Sequence, residues 1–173
     1  MAERRDTVGR TVIQNATIFD GTGRPTTRGD LVVEGNRVTS VGAATTAQPG
    51  DVTIDARGLF LMPGMVEGHA HLSFENVCAT EDLITPCPET QVFTAARGAR
   101  ALIEAGFTSA YGASEAKLKL AVAVREEVNA GRLPGPRIRA GGLEISVTGA
   151  MGDESKAHNP RQGPSAIVDG VEE

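Results

Sequence analysis

The most informative stretch of this sequence is LMPGMVEGHAHL, residues 61–72. It is short and extended in character from Gly64 onward, and it ends in two histidines separated by one residue, His69 and His71. Because alternate side chains of an extended chain point to the same side, both imidazoles can face one point in space. Neutral imidazole is a good ligand for zinc, iron or nickel, so the pair can supply half of a metal site. The alternative is two partly exposed histidines at a strand end that are satisfied by water.

The segments after this stretch alternate between helical and extended patterns. The predicted elements are strands at 107–111 and 136–140, with helices at 89–105 and from Ser114 or its neighbour to Asn129. Gly106 is suited to end the first helix. Strand–helix alternation at this spacing predicts βαβ units with parallel strands.

The end of the chain suggests an incomplete barrel. Residues 144–164 are polar and contain several glycines, which predicts a loop, and a further helix is predicted from Ser165 onward. A complete α/β barrel takes about 250 residues and eight strands, and its active site lies at the C-terminal ends of the strands, where His69 and His71 fall. Three such strands are present, so we expect a (β/α)8 barrel that is truncated after its third unit.

The segment before the histidines, residues 11–61, is rich in β-branched residues and glycine turns. Strands are predicted at 11–19, 30–34, 37–41, 52–55 and 59–61, with a hairpin turn at Gly35-Asn36. Because strands this close together cannot enclose a helix, we expect an antiparallel β-module. The predicted fold class is therefore α/β, with an all-β part first.

Composition and charge exclude several classes of function. The 173 residues are 40% hydrophobic and 23% charged, as expected for a soluble globular chain. A net charge of −5, 3% aromatic residues and the absence of Trp leave neither the basic stripe nor the stacking platform of a nucleic-acid-binding protein. No apolar run matches a signal peptide or the roughly 20 residues that span a bilayer. We expect a cytoplasmic protein with no nucleic-acid or membrane partner.

Two cysteines, Cys78 and Cys87, lie in a proline-containing segment. They could form a zinc half-site or a disulfide, but a pair of reduced thiols is the favoured interpretation for such a chain.

The stretch at 61–72 resembles the first-strand signature of the amidohydrolase superfamily. Residues 15–21 and 54–58 resemble the N-terminal β-sandwich half of those enzymes, and residues 106–110 resemble their second strand. The segment GPRI at 135–138, with Gly141-Gly142, is similar to the third strand in the branch around imidazolonepropionase and Xaa-Pro dipeptidase-like enzymes. The resemblance predicts an N-terminal β-sandwich portion at 1–60 and the start of a TIM-type barrel, strands one to three, at 61–173.

This resemblance implies metal-dependent hydrolysis of a C–N bond in an amide, cyclic amide or carbamoyl-type small molecule. His69 and His71 would be the first two ligands of the metal centre, with zinc as the expected divalent metal and one or two ions in the full-length protein. The other ligands and the aspartate that shuttles the proton would lie beyond residue 173. No catalytic residue is therefore predicted within the chain.

Two features depart from the family pattern. Glu67 stands where the family more often has Asp, and two residues before His69 it shares the side of the strand used by the histidines, so a supporting role beside the ligands is predicted. The segment SVTGAMGD at 146–153 has Ala150-Met151 where relatives of that branch have a glycine and a histidine. His158, a few residues further on, could face the substrate instead and is the candidate substrate-binding residue, but an exposed loop histidine is the favoured interpretation.

Three functional hypotheses remain open. The first is the N-terminal portion of a zinc-type amidohydrolase. The second is a truncated or non-catalytic chain that needs a partner, or a complementing C-terminal segment, to complete the barrel. The third is a β-module fused to an α/β binding fragment whose histidines bind nothing. A homo-oligomer is also expected, because exposed strand edges favour association.

Overall fold

The computed structural model describes residues 9–154 and 164–172. The chain divides into two compact units, Met1–Pro63 and Gly64–Glu173. The sequence analysis placed the division after residue 60, and the domain assignments given there stay predictions.

The described part of the first unit forms one five-stranded sheet. Its strands are β1 (Thr11–Ile18), β2 (Thr27–Glu34), β3 (Arg37–Val41), β4 (Val52–Asp55) and β5 (Phe60–Leu61). Their order is β3-β2-β1-β4, and β5 also pairs with β1. The predicted strand positions are confirmed, including the two-residue turn at Gly35-Asn36 between β2 and β3.

The prediction that this sheet is antiparallel is wrong for two of its strands. The pairs β1–β2 and β2–β3 are antiparallel, but β4 and β5 both run parallel to β1. The prediction considered only strands that follow each other in sequence. The β2–β3 hairpin, with the ten residues at 42–51, supplies the long connection that a parallel partner of β1 needs.

The first unit has a small core and several exposed apolar side chains. Ala16, Ile18 and Ala56 form the core, while other apolar side chains of the sheet region are exposed, among them Val52, Ile54, Leu59 and Phe60. No second sheet faces this one within the described residues of the unit. The β-sandwich therefore stays a prediction.

The second unit is built on a parallel sheet, as the sequence predicted. Its strands and helices are β6 (Met65–Ala70), α1 (Glu81–Ile84), α2 (Pro88–Glu104), β7 (Phe107–Gly112), α3 (Leu120–Asn129), β8 (Arg137–Arg139), β9 (Glu144–Ser146) and β10 (Ser165–Ile167). The main sheet has the order β6-β7-β8, with both pairs parallel. The predicted βαβ arrangement is confirmed. The further strands of a complete barrel stay a prediction.

The core of this unit joins α2 and α3 to Leu72, which follows β6, and to Ile138 in β8. Its buried side chains are Leu72, Leu83, Ala95, Ala99, Ala116, Leu120, Ala121, Val124 and Ile138. Helix α2 lies very close to the segment after β6 at Gly98. A Cβ added there would lie 2.2 Å from the Leu72 carbonyl oxygen. The helix is therefore packed directly against the residues that follow β6.

Helix α3 begins later than predicted, at Leu120 rather than near Ser114. The backbone N–H groups just before it are used in tertiary hydrogen bonds: Ala113 donates to the Ala70 carbonyl and Glu115 to the Gly142 carbonyl, each at 2.8 Å. These bonds link the segment after β7 to those after β6 and β8. Residues 113–115 are therefore held by the neighbouring strand ends, and the helix begins after them.

The prediction of a helix from Ser165 onward is also wrong. Residues Ser165–Ile167 form β10, which pairs in parallel with β9, and Val168 N donates to the Ser146 carbonyl at 2.8 Å. Strand β9 also occupies the first three residues of the loop predicted for 144–164. A short apolar segment takes its conformation from an available strand partner, and the sequence pattern does not show that partner.

Cys78 and Cys87 are both free and exposed. In the part of the chain that the structure describes, no helix is long and apolar enough to cross a membrane.

Candidate metal centre

The two predicted histidines lie where the ends of three parallel strands meet. His69 is the penultimate residue of β6, and His71 follows its last residue. Ser114 comes shortly after β7, and Gly142 comes shortly after β8. The hydrogen bonds of Ala113 and Glu115 described above hold these ends together, which places the histidines at the edge where parallel α/β folds form their sites.

The ring of His71 is held by two neighbours. Its Nδ1 lies 2.9 Å from the carbonyl oxygen of Ser114 and 3.1 Å from Ser114 Oγ. The ring also stacks on Phe74, with centroids 4.4 Å apart and planes 12° apart. Because a carbonyl oxygen can only accept, Nδ1 carries the proton and the lone pair of the neutral ring is on Nε2.

The ring of His69 lies beside that of His71, with centroids 4.9 Å apart and planes 77° apart. His69 is exposed and His71 half-buried. Within the described residues, Nε2 of His71 has no hydrogen-bond partner. Two adjacent imidazoles, one with a fixed tautomer and a free Nε2, fit the requirements of a divalent cation such as zinc.

These two side chains do not complete a site by themselves. Among residues 9–154 and 164–172, no group of three or more His, Cys, Asp or Glu side chains is placed to hold a metal ion. Catalytic zinc sites use three protein ligands. The histidine pair is therefore at most a partial ligand set within the described residues.

Glu67 contacts the backbone of His69. Its Oε1 accepts the His69 N–H at 2.9 Å. Between Glu67 and Ala70, β6 advances three residues while β7 advances two, from Ala110 to Gly112. This β-bulge breaks the alternation from which we placed Glu67 on the same side as the histidines. The supporting role of Glu67 stays a prediction. Its contact in the structure is with the main-chain N–H of His69 and not with the imidazole ring.

Glu115 was not singled out by sequence reasoning, although it is the best-connected acidic residue near the histidines. It is 0% exposed. Its carboxylate accepts from Leu72 N at 3.1 Å, Ser73 N at 2.9 Å and Ser73 Oγ at 2.6 Å. Burial raises the pKa of the Glu115 carboxyl, while these hydrogen bonds and the nearby His71 ring oppose the rise. In the sequence, Glu115 resembled an ordinary residue of a first helical turn.

His158, the candidate substrate-binding residue, lies outside the described residues. The loop before it is partly described: Asp153 Oδ2 accepts the Gly149 N–H at 2.8 Å, which closes a local turn. The catalytic aspartate is expected beyond residue 173, and the structure adds no candidate for it.

A groove of about 840 Å³ runs along the same unit without including either histidine. Its lining includes Tyr111, Arg125, Arg137 and Arg139. The groove is lined by three arginines, and neither His69 nor His71 is among its lining residues.

Comparison with known proteins identifies the family. The profile of the amidohydrolase family matches residues 60–171, which is more than half of the chain. An N-acyl-D-aspartate deacylase from Alcaligenes xylosoxydans xylosoxydans is 47% identical over 60 residues, covering 35% of this chain and 12% of that protein. A dihydroorotase from Trichlorobacter lovleyi is 34% identical over 80 residues, covering 46% of this chain and 16% of that protein.

A solved structure supports the same assignment. A prolidase in complex with N-methylphosphonate-L-proline matches with a TM-score of 0.81 and 25% identity, over 94% of this chain and 41% of that one. The chain thus spans well under half the length of the relatives that it matches. It belongs to the amidohydrolase family.

Proposed function

We propose that this chain provides the first two metal ligands of a hydrolase that cleaves a C–N bond in an amide, cyclic amide or carbamoyl-type small molecule. Family membership supports the reaction class, and the names of the relatives, a deacylase and a dihydroorotase, fit it. The observation on which the proposal depends is the hydrogen bond from His71 Nδ1 to the Ser114 carbonyl, 2.9 Å long. It leaves Nε2 of His71 available beside the ring of His69.

A divalent metal, for which we propose zinc, supplies Lewis acidity and lowers the pKa of bound water when it is present in such a site. His71 would hold it through Nε2, and His69 would hold it from the neighbouring ring. The other ligands and the proton shuttle are expected from parts of the fold outside the described residues. A small-molecule substrate would then approach the same C-terminal strand edge.

Contacts with neighbouring residues hold His69 and His71 in place before an ion binds. The Ser114 carbonyl fixes the tautomer of His71 and increases the basicity of its free nitrogen, as second partners of metal-binding histidines do. Phe74 limits rotation of the same ring by stacking on it at 4.4 Å. Glu67 holds the backbone of His69. These contacts reduce the conformational freedom that the two side chains lose on binding an ion.

The metal assignment is tested by zinc binding to the purified protein and to three alanine variants. His69→Ala and His71→Ala should each weaken binding strongly, because each removes one of two described ligands. His158→Ala is the matched control, since it removes the remaining histidine of the chain, and it should leave zinc affinity unchanged. Equal zinc binding by the wild type and both ligand variants would overturn the assignment.

The hydrolase assignment is tested by the release of free amine, measured with this chain joined to, or combined with, the segment that supplies the remaining ligands and the proton shuttle. The panel comprises N-acyl amino acids, a cyclic amide and a carbamoyl compound, before and after metal removal by a chelator. We expect turnover of at least one class, its loss with the metal and its return when zinc is added back. Turnover that survives complete metal removal would contradict the proposal.

A further inference from the structure

The proposed hydrolytic function leaves Glu115, a buried charged residue near the histidines, unexplained. Glu115 is completely buried and is the largest of the fully buried side chains. Within the described residues no lysine or arginine pairs with it. A buried carboxylate without a counter-ion is costly unless hydrogen bonds satisfy it. The hydrogen bonds of Glu115 must therefore offset the cost of burying its carboxylate, and they indicate its role.

All three of its side-chain contacts are with the two residues that follow His71. Oε1 accepts the Leu72 N–H, and Oε2 accepts both the N–H and the hydroxyl of Ser73. The Ser73 hydroxyl accepts the Ala116 N–H at 2.9 Å, so its own hydrogen is directed to Glu115. The carboxylate thus faces donors only, which is the arrangement that the ionised acid satisfies best.

The same two segments are joined at His71 itself. Ser114, whose carbonyl accepts the His71 Nδ1–H, immediately precedes Glu115, while Leu72 and Ser73 immediately follow His71. Glu115 also donates its own N–H to the Gly142 carbonyl at 2.8 Å, which links it to the segment after β8. A shift of Glu115 relative to Ser73 would therefore move the Ser114 carbonyl relative to the His71 ring.

We propose that Glu115 is a positioning residue for His71: it clamps the Leu72–Ser73 backbone to the Ser114–Ala116 segment and so keeps the Ser114 carbonyl on Nδ1. It touches neither substrate nor metal, and it acts through the orientation and tautomer of the His71 ring. The role in metal binding rests on the proposed function. The effect on the tautomer does not, because it exists without the metal.

The test compares the wild-type protein with Glu115→Gln. The amide keeps the size of the side chain but places an NH₂ group opposite an N–H or O–H donor, so at least one contact becomes repulsive. Long-range ¹H–¹⁵N spectra of the metal-free protein should show His71 as the Nδ1–H tautomer in the wild type and as a mixture in the variant. Zinc affinity should fall roughly 10- to 100-fold, as for other second partners of metal-binding histidines.

Two further variants separate positioning from general stability. Ser73→Ala removes the hydroxyl contact while keeping both backbone contacts, and it should give a smaller change in the same direction even if Glu115→Gln fails to fold. Gln91→Ala removes another buried polar side chain, one that bonds to the Asp82 and Leu83 carbonyls of α1. It should lower stability but leave the His71 tautomer and zinc affinity unchanged.

The outcomes distinguish this inference from the proposed function. If wild-type protein binds no zinc but the tautomer changes as expected, the metal assignment fails and the positioning role stands. If Glu115→Gln and Ser73→Ala both leave the tautomer unchanged, the positioning role is refuted whatever the metal result. An equal loss of zinc affinity in Gln91→Ala would also refute it, since the effect would then follow from stability alone.

Discussion

Replacing Gly98 with alanine tests how closely α2 packs on the residues behind the histidines. Gly98 lies in the interior of a 17-residue helix, where alanine is favoured over glycine by about 1 kcal/mol. Local propensity alone therefore predicts a more stable protein. The structure predicts the opposite, because the added Cβ would lie 2.2 Å from the Leu72 carbonyl oxygen and 3.1 Å from its carbonyl carbon.

The magnitude follows from the size of the overlap. Ordinary carbon–oxygen contacts are no shorter than about 3.3 Å, so α2 or the Leu72 backbone has to move by about 1 Å. Leu72 is 3% exposed, and its N–H is held by Glu115, so neither side yields easily. Overpacking of a core costs about 1–3 kcal/mol. Because the clash here is with backbone atoms, which move less easily than side chains, we expect a cost of about 3 kcal/mol. Subtracting the gain in propensity leaves a net destabilisation of about 2 kcal/mol.

Urea unfolding of wild type, Gly98→Ala and Ala101→Gly measures this directly. Ala101 is exposed in the same helix, so its replacement should show only the propensity loss of about 1 kcal/mol. A Gly98→Ala protein as stable as the wild type, or more so, would show that α2 does not approach Leu72 as closely as described. Because Leu72 follows His71, we also expect weaker zinc binding in the folded variant.

Two further predictions concern Asp20 in the first unit and the hydrophobic core of the second unit. Hydrogen bonds from Thr22, then from Arg24, lower the pKa of Asp20 from 3.8 to about 2. The stabilisation from this turn should be present above pH ~3.8 and lost as the pH falls through about 2. An NMR titration of the Asp20 carboxyl should have its midpoint near the lowered pKa in the wild type and higher in Thr22→Val; a wild-type midpoint at 3.8 would contradict it. Ile138→Ala should cost about 2–5 kcal/mol in urea unfolding, since Ile138 is 7% exposed in the core. Ile145→Ala, at a 77% exposed site, should change stability by less than about 0.5 kcal/mol; similar losses in both variants would contradict the assigned core.

Local pattern was sufficient for the elements whose stability is local. The five strands of the first unit, the turn at Gly35-Asn36, helix α2 and its end near Gly106 all follow from residue type and spacing, because turns, caps and periodicity act over a few residues. The parallel order of β6, β7 and β8 follows from strand–helix alternation, which allows few other connections. The family was also recognisable, because its motif around His69 and His71 is contiguous.

Tertiary structure decided what depends on distant partners. The sequence does not show that β4 lies parallel to β1, that β10 pairs with β9, or that the segment before α3 bonds to other strand ends. Glu115 is the clearest example, because its carboxylate meets Ser73 across 42 residues of chain. The sequence determined that two imidazoles end the first parallel strand. Only the fold brought the Ser114 carbonyl to His71 and so decided which ring nitrogen is free, because a hydrogen bond between distant segments exists only after both have packed.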